Sequence, residues 1–312
     1  MIVRSEEQKS RTGPLRPASE QLSPAPAFPL AESDVEETLA FLRERPIHTF
    51  GMAGLIRDNG LVSTQNRGEF YGYRNRRGRL EGVALIGHST LLEARNERAV
   101  QALAKQSQDC DHIFMVLGEQ VQIEQFWRTY SQTRNEPTIS CRELLLEKRS
   151  ALRSTEMLER LTPAVYEDLD TVIPIHAGLA ADESGLDPLV LDPEGFRRRC
   201  ARRIERERTW LWKHNGELVF KADIVSDTPD VIYIEGIWVS PRYRGKGYGL
   251  RCLLQFSAQL LQRTRTICLL VNERNMAARK FYERAGFSFV SAYDSIFINR
   301  SALPNAAPPP VA

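Results

Sequence analysis

Three glycines and two cations share six positions at Arg244-Gly245-Lys246-Gly247-Tyr248-Gly249. Glycines let a backbone approach an anion closely and adopt positive φ. If a helix opens there, its first N–H groups have no intrahelical partner, and its dipole adds about half a positive charge. The stretch is suited to cradling a phosphate, with Arg244 and Lys246 as mobile charge. The plain alternative is a basic turn that joins two elements. Upstream, Glu235 interrupts the apolar run Val231-Ile232-Tyr233-Ile234-Glu235-Gly236-Ile237-Trp238-Val239. A carboxylate there needs a reason, either a partner such as an arginine or a chemical role. Four residues separate Glu235 from Val239, which puts both on one face of a regular strand. Downstream, Asn275 and Tyr282 stand seven residues apart, on one face of a helix.

The elements that would position these residues are legible. The run 231–239 is apolar at both parities, as in a strand covered on both faces, and Ser240 and Pro241 end it. Gly236 within it suggests a bulge that frees main-chain groups. Leu250, Leu253, Leu254, Ser257 and Leu261 form a helical stripe. The order is strand, glycine loop, helix. No Gly-Lys-Ser/Thr closes the loop, and its spacing differs from the dinucleotide fingerprint. Thr266–Val271 reads as the next strand, and Asn275 begins the next helix.

Arg-x-x-Gly-x-Gly, as Arg244, Gly247 and Gly249, resembles the acyl-CoA pyrophosphate loop of the GCN5-related N-acetyltransferase (GNAT) family. Asn275-Met276-Ala277-Ala278-Arg279-Lys280-Phe281-Tyr282-Glu283-Arg284-Ala285-Gly286-Phe287 is similar to that family's Asn-x-x-Ala…Phe-Tyr-Glu-x-x-Gly-Phe helix, in the right order and distance. The resemblance implies an α/β (α+β mixed sheet) GNAT fold with acetyl-CoA as co-substrate and no metal. It implies cofactor contacts from Ile237, Trp238, Val239, Arg244, Gly245, Lys246, Gly247, Tyr248, Gly249, Leu250 and Asn275. It also implies Glu235 as general base and Tyr282 as general acid. The acceptor would be a primary amine on a small molecule, peptide or protein. A lysine-like amine is protonated at neutral pH, a deficit of about 3 pKa units or roughly 4 kcal/mol that a base must help to overcome. The region His176–Leu191, expected as a loop with Asp182, Glu183 and Asp187, borders the acceptor site in that family. A different class is a non-catalytic acyl-CoA sensor or interaction protein; the presence of both Glu235 and Tyr282 favours the enzyme.

With 312 residues and 42% hydrophobic content the chain can form two cores. A net charge of +2 gives no argument for nucleic acid or membrane, no apolar run approaches a membrane span, and the start lacks a signal-peptide core. Cys110, Cys141, Cys200, Cys252 and Cys268 show no metal-ligand spacing and read as reduced thiols of a cytoplasmic protein. The five histidines form no catalytic or metal constellation. The arginines of 197–206 read as a solvated helix face.

The expected organisation is a flexible tail over 1–30, a smaller domain over 31–150, a GNAT domain over 156–302 and a second flexible tail over 303–312. The first domain's predicted order is two helices, three strands, helix, strand, helix and strand. It repeats the second domain's order and resembles a degenerate GNAT half. Its counterpart of the glycine loop, Leu92-Glu93-Ala94-Arg95-Asn96-Glu97, has no glycine and two acids. On this reading a fragment beginning near Ser154 would carry every cofactor contact.

Overall fold

The computed structural model describes residues 26–132, 137–151 and 161–298. Most of the expected tail 1–30, the tail 303–312, most of the linker 151–155 and nearly all of the expected strand Met157–Leu161 lie outside the described residues. In chain order the elements are β1 (Phe28–Pro29), α1 (Val35–Arg43), α2 (Phe50–Asn59), β2 (Gly68–Arg74), β3 (Leu80–Gly87), β4 (Ser89–Ala94), α3 (Glu97–Ser107), β5 (Met115–Glu119), α4 (Gln120–Tyr130) and β6 (Pro137–Lys148). There follow β7 (Thr162–Pro163), α5 (Leu169–Ser184), α6 (Pro188–Leu191), α7 (Pro193–Glu205), β8 (Thr209–His214), β9 (Glu217–Asp227), β10 (Val231–Val239), α8 (Tyr248–Leu260), β11 (Thr266–Asn272), α9 (Met276–Arg284) and β12 (Ser288–Ile298).

Local chemistry sets many of these boundaries. The β8–β9 hairpin turns at Asn215 and Gly216, both at positive φ, as a two-residue hairpin requires. Asp192 caps α7 by accepting from the Gly195 N–H at 2.9 Å, with Pro193 in the first turn. The expected loop over His176–Leu191 is corrected. Helix α5 continues through His176 to Ser184, and Gly185 at φ +72 ends it. Burial of Leu169, Val172, Ile173, His176 and Ala177 carries the helix past Pro174, so tertiary packing overrides a local breaker.

The strands form one twelve-stranded mixed sheet in the order β1-β2-β3-β4-β5-β12-β6-β11-β10-β9-β8-β7. Only β4–β5 and β10–β11 are parallel. The two halves of the chain exchange strands. β6, the last strand before residue 150, pairs with β11 on one edge and β12 on the other. β12, the last strand described, pairs in turn with β5 of the first half. A fragment beginning near Ser154 would carry the glycine loop but lacks β6, a strand from the middle of its own sheet.

The halves also share a core. Phe50 from α2, Leu145 from β6, Val231 and Tyr233 from β10, Cys268 from β11 and Tyr293 from β12 pack together. The Phe50 and Tyr233 rings stack at 4.1 Å. Gly54 lets α2 lie against Ser226, whose hydroxyl donates to the Phe50 carbonyl at 2.6 Å. Arg208 of the second half pairs with Asp58 of the first. Among the described residues no helix is long and apolar enough to cross a membrane.

Candidate functional site

Strands β10 and β11 pair in register at Val231–Thr266, Ile232–Ile267 and Tyr233–Cys268, and the pairing ends there. Beyond Tyr233 the strands diverge, which leaves main-chain groups of β10 facing a wedge. A bulge lies on this segment. Glu235 opposes Asp223 and Trp238 opposes Lys221, so β10 carries one more residue than β9 between them. Gly236 sits at φ +59, and a Cβ there would lie 2.5 Å from Asp223 Oδ2 and 2.8 Å from Lys221 Nζ. Conformation and space both demand glycine.

The bulge reverses the strand's parity. Ile232 and Ile234 face one core before it, and Ile237 and Val239 face that same core after it. Tyr233 faces the opposite core, between the halves. Glu235 therefore lies on the Tyr233 face, opposite Val239. Their expected sharing of one face is corrected, because the inserted Gly236 breaks the period of two.

The glycine loop follows β10. Gly245 and Gly247 stand at φ +75 and +80, and a Cβ at either would meet nothing within 4 Å, so backbone conformation is what calls for glycine there. Gly249 has the opposite reason. A Cβ would come 2.7 Å from Val239 Cγ2, so this glycine lets α8 pack on β10. Gly247 is the N-cap of α8 with no capping side chain, and the N–H groups of Tyr248, Gly249 and Leu250 open the helix. Arg244 Nε donates to the Val239 carbonyl at 3.1 Å, which ties the loop to the strand end. Lys246 Nζ lies 5.3 Å from the Tyr243 ring centre. The Tyr248 ring packs 5.2 Å from Trp212, and Leu250 lies against the core. Asn275 caps α9 by accepting from the Ala278 N–H at 3.0 Å.

Glu235 is 43% exposed at its side chain, with Arg203 Nη2 of α7 at 3.8 Å. The protein packed around this partly exposed side chain strips solvation from the carboxyl and raises it above the ordinary value, with Arg203 opposing, Asp223 adding and Lys221 opposing. Two more carboxyls interact with it through space. Glu183, near the end of α5, is exposed at its surface, and its carboxyl is pushed up to about 8, first by lost solvation and then by Glu235, Glu143 and Asp182. Glu143, on the exchanged strand β6, is raised first by burial and then by Glu235, while a hydrogen bond from the Ser295 hydroxyl opposes the rise. Tyr282 packs by its ring against Phe281 and Phe287, and burial, then Glu183, keeps its phenol protonated far above neutral pH.

Behind Glu235 lies a charged cluster that sequence reading missed. Lys221 and Asp223 of β9 are wholly buried and paired. Lys221 Nζ also donates to the Gly236 carbonyl at 3.1 Å, and Thr209 Oγ1 donates to Asp223 Oδ1 at 2.7 Å. Arg203 Nη1 is 3.6 Å from Asp223 and 3.4 Å from His176 Nδ1. Arg203, expected on a solvated face, thus turns towards Asp223, His176 and Glu235. His176, expected as structural or surface, is buried, and its pKa is lowered to about 3, first by burial. The only sequence signal was alternation. Lys221 and Asp223 stand two apart in a run that is otherwise apolar, which places two opposite charges on one strand face.

The first half contains a counterpart with the parts missing. Strands β4 and β5 pair from Ser89–Met115 to Leu91–Leu117 and then part. Glu93 stands two residues past the last pair, as Glu235 does. Its carboxylate takes Arg45 at 3.1 Å and also Arg95, and Arg45 bridges on to Glu119 at 2.8 Å. The N–H of Ala94 is taken by Gln122 Oε1 at 2.9 Å. Asn96 caps α3 directly after β4, so no loop intervenes. This wedge is closed by the protein's own side chains.

Residues 179–287 match the Acetyltransferase (GNAT) family. No curated protein matches the sequence. Among solved structures, an acetyltransferase of the GNAT family from Colwellia psychrerythraea is similar over 88% of this chain and 99% of its own, at TM-score 0.56 and 13% identity. A Drosophila protein is similar over 87% and 98%, at TM-score 0.63 and 11% identity. A tandem GNAT protein from the clavulanic acid biosynthesis pathway is similar over 86% and 97%, at TM-score 0.52 and 13% identity. The mixed α/β architecture of both halves is thus that of GNAT-fold proteins.

Proposed function

We propose that this chain, which carries a GNAT domain over residues 179–287, transfers an acetyl group from acetyl-CoA to a primary amine by direct attack. The observation that carries this reading is the conjunction at the end of β10. A strand wedge with unpaired main chain opens beside a helix whose first N–H groups are presented by Gly245 and Gly247. A pantetheine arm needs the first and a pyrophosphate the second. The chemistry that acetyl-CoA supplies is an activated thioester.

The protein's residues do the rest. Main-chain groups of Ile237, Trp238 and Val239 hold the arm, and the backbone of Arg244 to Leu250 holds the phosphates, with Arg244 and Lys246 adding charge. Asn275 fixes the start of α9, so its part in binding is to set where Tyr282 stands. Glu235, raised by its surroundings and open to water, accepts the proton that the amine must lose. Glu183, pushed up to about 8, is largely uncharged at neutral pH and offers a hydrogen-bonding carboxyl near that base. Tyr282, whose phenol keeps its proton, donates a hydrogen bond to the departing sulfur.

The test is release of free thiol from acetyl-CoA on addition of a panel of amines, peptides and aminoacyl compounds. At least one amine is expected to give acetylated product with the wild-type chain and much less with Glu235→Gln. Thiol release that no amine accelerates would refute the transferase reading.

A further inference from the structure

Arg203 is placed to link two things that the reaction needs. One guanidinium nitrogen lies 3.8 Å from Glu235 Oε1, and the other lies 3.6 Å from Asp223 Oδ2. Asp223 is in turn fixed by Lys221 and Thr209, and Lys221 holds the carbonyl of Gly236 at the bulge. The chain of contacts thus runs from the carboxylate through a half-buried arginine to a wholly buried pair, and back to the same strand one residue on. A closed circuit of this kind fixes both the direction of Glu235 and the shape of the bulge that follows it. Nothing about folding alone calls for an arginine here. Lys221 and Asp223 already neutralise each other, and replacing a buried ion pair with apolar residues is often stabilising.

We infer that Arg203, anchored on the buried Lys221–Asp223 pair, is a positioning residue for the acceptor-side chemistry and holds the Glu235 carboxylate ionised and in place. The inference rests on Glu235 being the base. Its test is chosen to separate the two.

Glu235 is faced by Arg203 from α7, by Asp223 and Lys221 from β9, by Glu183 from α5, by Glu143 from β6 and by Tyr233 from its own strand. Two of those groups are positive and three are acidic. Arg203 is the cation nearest Glu235, and its loss leaves Lys221, already paired with Asp223, as the remaining positive neighbour. Removing a positive neighbour makes a carboxylate harder to ionise, by one to three pKa units for a close pair. Because the Glu235 side chain is 43% exposed, the low end applies.

The experiment follows the side-chain carboxyl resonances of glutamates in the full-length chain, labelled with carbon-13, between pH 4 and 9. Glu235 is assigned as the signal lost in Glu235→Gln. In Arg203→Met its midpoint is expected to move up by about one unit. In Arg203→Lys, which keeps the charge, it is expected to return most of the way. The acidic limb of the rate against pH, with whichever amine is acetylated, moves up by the same amount, while acetyl-CoA affinity is unchanged. At pH well above the limb, Arg203→Met regains most of its rate, which a merely misfolded variant would not do. An unmoved Glu235 midpoint in Arg203→Met overturns the inference, as does an equal shift in the lysine variant. A midpoint that moves as expected upholds the link from Arg203 to Glu235. If no amine is acetylated by any of the proteins in that case, it is the base assignment that fails.

Discussion

At Glu235, one inserted glycine separates a carboxylate from the residues that follow it on the strand. Glu235 keeps the face of Tyr233 and meets Arg203, while the bulge at Gly236 turns Ile237 and Val239 to the opposite face. Glu235→Gln keeps the shape and removes the proton affinity. Turnover is expected to fall by roughly 10²–10⁴ while acetyl-CoA still binds, and the loss should shrink at high pH, where free amine is abundant. Because the carboxyl is raised, wild-type activity should decline as pH falls through its titration, and Glu235→Gln should show no such limb. His176 carries a separate pH signature, in stability. Its folded pKa is lowered to about 3 from 6.5, so the folded state takes up a proton less readily than the unfolded chain. The stability is therefore fully present above about pH 6.5 and is lost as pH falls from there towards 3. Between pH 6.5 and 5 the loss from this one group is about 2 kcal/mol. Denaturant midpoints measured across that range should fall in the wild type and fall less in His176→Asn. The presence of Glu235 and Tyr282 was legible from residue type and spacing. The surroundings of Glu235 were not, because Arg203 is brought to it from another element, and an arginine-rich helix reads the same whether one of its members is solvated or turned inward.

Among the elements, the succession β10, glycine loop, α8 is the part most fully written in the sequence. Gly245, Gly247 and Gly249 each have a local reason, two in positive φ and one in helix–strand contact. The Gly236 bulge was foreseen as a break in the strand, but its consequence for parity depends on pairing with β9, which no local pattern encodes. Gly236→Ala forces a Cβ into the Lys221–Asp223 pair at positive φ. A loss of about 1–3 kcal/mol in unfolding free energy is expected, from strain at a special conformation. Chemical denaturation checks it, and a variant as stable as wild type would mean the bulge relaxes easily. Helix α5 is the counter-example: His176–Leu191, with its acidic residues, reads as a loop, and burial of the His176 face shows why the helix persists to Ser184.

At the scale of the molecule, the two halves are consecutive in sequence but interleaved in space. β6 is legible as a strand from its apolar run, yet its seat between β11 and β12 depends on partners that are over a hundred residues away. A chain split between residues 151 and 161, with both pieces expressed together, is expected to copurify as one folded unit. The piece from 156 onward alone should be insoluble or unfolded by circular dichroism; a soluble, folded lone piece would contradict the exchange. The same arrangement brings Glu143 of the first half within electrostatic reach of Glu235 in the second. The first half's own wedge is filled by Arg45 and Gln122, so the proposed function has one place for acetyl-CoA among the described residues. Calorimetric titration of the full chain with acetyl-CoA, beside a Gly247→Glu variant shown to be folded, tests this most directly. One equivalent should bind the wild type, stabilising it by about 2.7 kcal/mol at a hundredfold excess over Kd, and none should bind the variant. Two equivalents, or undiminished affinity in Gly247→Glu, would contradict the account.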